Sequence, residues 1–304
     1  MKKLFTFFLA GLWAMGLTFA QTPTDAWMMK PGEICIALPY STESWSEYWE
    51  GTLKRDNGNI GTFQRQVVMP MFALGITDRI NVIGALPWVK TQSTQGQLAG
   101  ITGLQDAGLW VKAELLRKTL GKGSLTAHAV AGFSTPVTNY LSDYQPFSLG
   151  LGCPDASIRA IGQYHTDKGP FLRAQAGFHY RGNTTIERYY YYTDYGVYSD
   201  RVDVPNALTY GVAAGSWMMN NTFRIELLFD GMQTLGGYDI RRQDMPFPSN
   251  RMIFTRLGAN LQWYVPGIKG LSLLAGGGYV LNGRNVGQSL SWMGGVAWQF
   301  PLWK

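Results

Sequence analysis

Three histidines are the residues of this 304-residue chain with the widest catalytic repertoire: His128, His165 and His179. A histidine that activates a hydrolytic nucleophile needs a serine within hydrogen-bond reach and an acid that orients its ring. If both groups shared one strand face, the serine would stand two residues after His179, where the chain has Arg181. Lipid hydrolysis therefore lacks its nucleophile at the expected spacing and is kept only as an alternative.

Metal binding and cofactor binding have even less support in the sequence. His165 and His179 belong to neighbouring predicted strands and could meet, whereas His128 lies one strand further away. The chain contains no P-loop, no GxSxG and no HExxH pattern. We therefore expect no enzyme activity, no cofactor and no metal site.

A series of charged residues occupies alternate positions in segments whose remaining positions are apolar. In residues 222–230, for example, Ile225 and Leu227 alternate with Arg224 and Glu226. Such a face can line a small pore in which arginines favour anionic solutes, or it can form a structural ion-pair network that leaves no pore. The candidate lining residues are Arg159, Arg173, Arg181, Arg224, Glu226, Arg256 and His179, with Glu114 and Asp230 as further counter-charges.

The alternation indicates β-strands, since successive side chains of a strand point to opposite faces. About twelve strands are predicted, and their connections alternate between short turns and long loops. That combination predicts an all-β fold, an antiparallel transmembrane β-barrel whose short turns face the periplasm. The predicted strands are 32–40, 62–74, 79–91, 105–117, 123–137, 154–166, 171–182, 206–218, 222–235, 252–265, 271–281 and 290–302.

The composition agrees with an exported barrel. Residues 1–20 have the basic start, apolar stretch and small-residue end of a signal peptide, which leaves 21–304 as one barrel domain. Charged residues make up 15% of the chain, below the level of about 25% that is usual in soluble proteins. The net charge of +6 is mild and its basic residues are scattered, so nucleic acid is not an expected partner.

Some features leave alternatives open. Pro70 lies inside a predicted strand, where it cannot donate to the ladder, while Pro87 and Pro136 are placed near strand ends. Cys35 and Cys153 can pair or stay free after export. The longest loop, 183–205, contains a run of tyrosines that can stack on a ligand or pack together as a lid, and the lid is favoured.

One region resembles a known family. The segments are Phe72-Ala73-Leu74-Gly75-Ile76-Thr77-Asp78-Arg79-Ile80-Asn81-Val82, Ala85-Leu86-Pro87-Trp88-Val89, Gly103-Leu104-Gln105-Asp106 and Ala107-Gly108-Leu109-Trp110-Val111-Lys112-Ala113. They resemble the outer-membrane proteins of the phenol meta-pathway family, in which a G-(hydrophobic)-T-D-R turn, an L-P strand end and a G-L-G-D loop recur. Gln105 replaces the second glycine of that loop. The resemblance implies a barrel that passes aromatic or other apolar small molecules.

The function expected from the sequence is a porin-like channel or transporter for small molecules in the outer membrane of a Gram-negative bacterium. Its expected partners are outer-membrane lipid, a small-molecule solute and the barrel assembly machinery. Two alternatives remain besides the channel. One is the lipid hydrolase, and the other is a surface-binding or structural barrel without an open pore.

Overall fold

A computed structural model describes residues 21–240 and 245–303, so the predicted signal peptide lies outside the described residues. Within these ranges twelve antiparallel strands form one closed barrel, which confirms the predicted fold class. The strands are β1 (Glu33–Trp45), β2 (Phe63–Val68 and Met71–Thr77), β3 (Ile80–Ala85 and Trp88–Ser93), β4 (Thr102–Leu104 and Asp106–Thr119), β5 (Gly123–Pro136), β6 (Asp155–Thr166), β7 (Pro170–Arg181), β8 (Ala207–Met218), β9 (Phe223–Thr234), β10 (Ile253–Tyr264), β11 (Leu271–Arg284) and β12 (Leu290–Pro301).

The barrel closes between its first and last strands. β1 pairs with β12 in an antiparallel register that runs from Glu33 opposite Pro301 to Ser44 opposite Leu290. Because each remaining strand pairs with its neighbours in the chain, no edge is left along the regular part of the wall. Closure removes the unpaired backbone groups that a lipid environment cannot satisfy.

The connections divide the barrel into two rims. Tight turns join the strands at one end, which we call the turn rim, and long loops join them at the other, the loop rim. The turn between β8 and β9 places Met219, Asn220 and Asn221 at positive φ angles of 52°, 56° and 63°. Asparagine tolerates this left-handed region better than most residues, which explains why the chain reverses there.

The two faces of the wall differ as the alternation predicts. On β9, Leu227 exposes 60% of its surface on the outside, whereas Glu226 is 4% exposed on the inside. Trp292 and Ile158 are also outside, at 61% and 60%. A band of exposed apolar side chains around a polar interior is the arrangement that a lipid-embedded barrel requires.

A row of interruptions crosses the wall from β2 to β4, beside Pro39 of the continuous strand β1. The Met69 N–H donates to the carbonyl oxygen of Pro39, Leu86 N–H to that of Pro70, and Gln105 N–H to that of Pro87, at 3.0, 3.1 and 2.9 Å. Pro87 lies in the gap between the two segments of β3, Ile80–Ala85 and Trp88–Ser93, a break that the continuous predicted strand 79–91 did not include. A proline has no backbone N–H group to donate to the neighbouring strand. The prolines of adjacent strands lie at about the same level along the barrel axis, so the breaks in these strands are aligned.

The loop rim contains more regular structure than the sequence indicates. β1 runs five residues past its predicted end at position 40, and a small hairpin of Glu47–Glu50 with Leu53–Asp56 follows it. Loop 183–205 contains two further small sheets. Cys35 lies near the turn rim and Cys153 in a loop at the other rim, and both thiols are free. Across the described ranges, no helix is long and apolar enough to cross a membrane.

Candidate functional site

The segment that precedes β1 lies inside the barrel, and we call residues 21–32 the plug. Trp27 packs edge-on against His165, Phe171 and Trp217 of the inner wall, with ring centroids 5.6–5.7 Å apart. Met29 belongs to a buried cluster of inward side chains from strands on the other side of the barrel, among them Ala73 and Ile83. The plug therefore spans the interior at the turn rim and fills it with apolar side chains.

A buried ion pair fixes the plug to the wall. Lys112 of β4 is fully buried, and its Nζ donates to the Oδ1 atom of Asp25 at 2.8 Å. The same ammonium group donates to the main-chain oxygens of Asp25 and Trp27 at 2.9 and 3.3 Å. All three protons of the ammonium group thus have acceptors in the plug, as a charge with no access to water requires.

Two more residues of the motif that resembles the phenol meta-pathway family also meet the plug. Asn81 is fully buried and forms a side-chain hydrogen bond with Gln21. A Cβ atom added to Gly75 would stand 2.1 Å from the main-chain oxygen of Lys30, so only glycine leaves room for the chain there. Together with Lys112, these residues give the motif a physical role, which is to hold the segment that enters the barrel.

Two neighbouring cavities that share lining residues lie between the plug and the loop rim. One has a volume of about 280 Å³ and includes Glu43 and Arg65 in its lining. The other, of about 260 Å³, has Thr22, Thr24 and Asp25 of the plug in its lining. Arg256 and Asn260 border both cavities. The interior above the plug is therefore open space with charged and polar walls.

All the residues predicted to line a pore face the interior, and three of them form two ion pairs together with the counter-charge Asp230. Arg173 meets Glu226 through two hydrogen bonds of 3.2 and 3.3 Å, and Glu226 also accepts one from Asn260. Arg256 meets Asp230 through two bonds of 3.2 and 2.9 Å. These pairs keep part of the inward charge in fixed positions, as the network interpretation expects.

The remaining predicted residues differ in their partners. Nη1 of Arg159 donates to Gln175 at 2.9 Å, and no carboxylate of the described residues lies within 4 Å of it. Arg181 and His179 share Asp155 at the loop rim, at 3.5 and 3.0 Å. Arg224 lies 5.4 Å from the centre of the Trp217 ring and has no ion-pair partner in the described part of the chain. The inward charge is thus only partly neutralised.

The histidines do not assemble a catalytic centre in the described residues. Ser157 is the direct cross-strand neighbour of His179, and Asp155 bonds to Nδ1 of that histidine, so the three residue types of a triad are close. Nε2 of His179, however, is buried and has no hydrogen-bond partner among them. A triad needs that bond to the serine hydroxyl. No group of three potential metal ligands occurs in the described ranges.

The plug is the structural element that the sequence did not reveal. Its residues are few and have no periodic pattern, and their preference for the interior depends on a cavity that exists only after the barrel closes. One signal was available, which is the position of Lys112 on an inward face. A buried lysine requires an acceptor, and the search for that acceptor could have led to Asp25.

The loop rim is organised by one asparagine. The side-chain oxygen of Asn285 accepts from the N–H groups of Gly51 and Ile240 at 2.7 and 3.3 Å, and its nitrogen donates to Asp239 and to the Arg251 main-chain oxygen at 2.9 and 2.7 Å. Three loops meet at this side chain. They therefore form a connected cap above the cavities.

The tyrosine-rich loop is partly self-packed. Tyr191 is buried with Ile186 and Val202 in a small core of its own. Tyr189 and Tyr198, by contrast, expose 80% and 87% of their surface. The loop thus folds on itself, as the favoured interpretation expects, and still presents aromatic rings to the outside.

Comparison with known proteins gives a fold and no family. No family model matches the chain, and no curated protein matches it. Among solved structures, the COG4313 outer membrane channel from Pseudomonas putida F1 is similar with a TM-score of 0.72 and 13% identity, over 90% of this chain and 97% of that one. The translocator domain of the autotransporter NalP from Neisseria meningitidis (TM-score 0.47, 12% identity, 90% of each chain) and the KdgM porin (0.43, 8%, 87% and 99%) agree less closely.

The closed barrel and the segment inside it define the fold class of the protein. The chain has the fold of an outer-membrane channel barrel, with twelve strands and a segment of its own inside the lumen. Among solved structures, the likeness to the Pseudomonas putida channel supports that fold over nearly the whole length of both chains. The resemblance to the phenol meta-pathway family stays a prediction.

Proposed function

We propose that the protein is a channel of the bacterial outer membrane that admits small solutes from the loop rim and is restricted by its plug. The supporting observation is the pair of neighbouring cavities, of about 280 and 260 Å³, between the plug and the loops. A barrel with a purely structural interior would fill this space with side chains. The loop rim then faces the exterior and the turn rim the periplasm, as is usual for such barrels.

The charge of the lumen favours anionic solutes. Arginines line the wall from β6 to β10, and two of them, Arg159 and Arg224, have no carboxylate partner among the described residues. Guanidinium groups that line a passage raise the local concentration of anions. The wall of one cavity is polar, with Glu43, Arg256 and Asn260 in its lining. The other also presents Leu228, Leu274 and Met293, which could contact the apolar part of a solute of the kind that the family resemblance implies.

Single-channel recording in a planar bilayer tests the proposal. We expect discrete openings whose reversal potential in a salt gradient shows a preference for anions. The Arg159→Gln variant removes one unneutralised charge and should lower that preference. Its matched control is the double variant Asp230→Asn with Arg256→Gln, which removes a whole ion pair, leaves the net charge unchanged and should keep the preference.

A folded barrel that never opens, with or without its plug, would reject the channel and favour a surface role. The exposed Tyr189 and Tyr198 on the outer loop support that second candidate, since aromatic rings in water are suited to stacking on a partner. Replacement of both tyrosines by serine would then abolish binding to the cell-surface partner. In a channel, the same replacement should leave conductance unchanged.

A further inference from the structure

We propose that Arg224, at the floor of the lumen beside the plug, forms a binding site for a small carboxylate. The side chain is 9% exposed, and its Nε and Nη1 atoms are buried without a hydrogen-bond partner among the described residues. A buried guanidinium with unused donors is costly, because the lost hydration is not replaced. The structure therefore leaves donors in place for a ligand that is not part of the chain.

The local charge balance points to an anion. Lys112, Arg173 and Arg224 all interact electrostatically with the Asp25 carboxylate, and the two arginines also interact with that of Glu226, so three cations are grouped with two carboxylates. Lys112 is committed to Asp25 at 2.8 Å, and Arg173 to Glu226 at 3.2 Å. One positive charge remains, and it belongs to Arg224. An incoming anion would complete the balance that the protein leaves open.

The space beside Arg224 can accept such a ligand. Arg224 is one of the residues that line the cavity of about 260 Å³, together with the plug residues Thr22 and Thr24. A cavity of this size lies near the lower end of the range for small-molecule sites, so it holds more than a single ion. Apolar side chains of Leu228, Leu274 and Met293 border the same cavity, and they would contact the body of a ligand whose carboxylate meets Arg224.

The guanidinium group of Arg224, held against Trp217, favours a planar hydrogen-bond acceptor. Trp217 lies 5.4 Å from the guanidinium carbon of Arg224 and holds one face of the group in place. An arginine fork presents its donors in one plane and matches the two oxygens of a carboxylate better than a point charge does. The ligand class is thus a small carboxylate, and acetate and benzoate are suitable probes of different apolar size.

Isothermal titration calorimetry of the purified barrel in a nonionic detergent and a chloride-free zwitterionic buffer tests the site. We expect saturable binding of benzoate, weaker binding of acetate and at least a tenfold loss of benzoate affinity in Arg224→Gln. In Arg224→Lys the charge stays but the fork is lost, so the affinity should fall at least fivefold. Arg79→Gln removes a charge from an exposed turn of the same rim and should bind as the wild type does.

Two results would overturn the site. The first is a wild-type barrel that binds neither probe, which would mean that water alone meets Arg224. The second is an Arg224→Lys variant with wild-type affinity, which would mean that only the overall charge of the lumen attracts anions. Heat-modified migration of each variant on a gel, the usual sign of a folded barrel, shows that a loss of binding is not a loss of fold.

The site deepens the proposed function but is tested separately from it. Calorimetry measures binding, so a barrel that binds benzoate and conducts no ions would keep the site and reject the channel. A barrel that conducts anions but binds neither benzoate nor acetate would keep the channel and reject the site. Quenching of tryptophan fluorescence by benzoate gives a second readout, because Trp217 is adjacent to the proposed ligand.

Discussion

The ion pairs in the two halves of the lumen differ in their exposure to solvent. At the turn rim, Lys112 and Asp25 are sealed by the plug, with side-chain exposures of 0% and 6%. Toward the loop rim, the ion pair of Arg256 and Asp230 keeps 39% and 18% exposure beside open cavities. Both halves use the same inward polar pattern of barrel strands. The difference is the presence of a further chain segment, which turns a wall into a packed core.

The largest effect on the position of the plug is expected from changes to the buried ion pair of Lys112 and Asp25. Lys112→Met leaves Asp25 buried without its cation, and Asp25→Asn leaves the ammonium group without its carboxylate. Removal of one partner of a buried pair costs about 3–5 kcal/mol, so each variant should release the plug. Protease cleavage within residues 21–32, followed by mass spectrometry, measures that release.

The double variant Asp25→Asn with Lys112→Met is the matched control. It removes both charges, and the amide is close in shape to the lost carboxylate. The double variant should hold its plug better than either single variant. Equal cleavage in all three variants would mean that the ion pair does not anchor the plug.

Replacement of Trp27 tests the apolar packing between the plug and the wall at the turn rim. Trp27→Ala empties the space between Phe171 and Trp217, and tryptophan-to-alanine changes in packed cores cost about 3–5 kcal/mol. We expect the plug to become sensitive to protease while the barrel keeps its heat-modified migration. Trp27→Phe, which keeps an aromatic ring there, should show a clearly smaller effect. A plug as protected in Trp27→Ala as in the wild type would contradict the proposed packing.

A smaller effect is expected from the cap on the loop rim. The hydrogen bond from Arg284 holds the pKa of Asp239 below its ordinary value of 3.8. A lowered pKa in the folded state stabilises the protein above that ordinary value, and the contribution disappears as the pH falls through the folded-state pKa. The wild type should therefore melt at a higher temperature than Asp239→Asn at neutral pH, and the gap should close below pH 3.8.

A gap that widens on acidification would show that Asp239 does not stabilise the cap as a carboxylate. Asp56→Asn, at an exposed position of the small hairpin, is the control and should leave the melting temperature unchanged at every pH.

The smallest expected signal is the reactivity of the two buried thiols, Cys35 and Cys153, in the folded barrel. Burial raises the pKa of the Cys153 thiol to about 12, so it stays protonated and unreactive at neutral pH. Cys35 is buried at the other end of the barrel, at 3% exposure. Neither should react with a maleimide until the barrel is denatured, and both should then react without prior reduction. A disulfide in the denatured chain would contradict the separation of the two residues.

Much of the wall could be predicted from the sequence, since period-two alternation and turn residues specify strands locally. The predicted span 222–235, for instance, differs from β9 by one residue at each end. The interruption at Pro87 was missed, because a proline in the middle of a strand depends on neighbouring strands that break at the same height. Some partners of the inward charges lie directly opposite on the adjacent strand, as Asp230 does to Arg256. Partners two strands away, such as Glu226 for Arg173, or in the plug, such as Asp25 for Lys112, could not be predicted from a local pattern.

The central claim is that the plug restricts a passage through this barrel. The most direct test is to compare single-channel conductance of the wild type with that of a variant that lacks residues 22–31, in the same bilayer and salt. We predict small or infrequent openings in the wild type and a larger, persistent conductance in the deletion variant. Equal conductance in two correctly folded barrels would contradict the claim and show that the plug does not control passage.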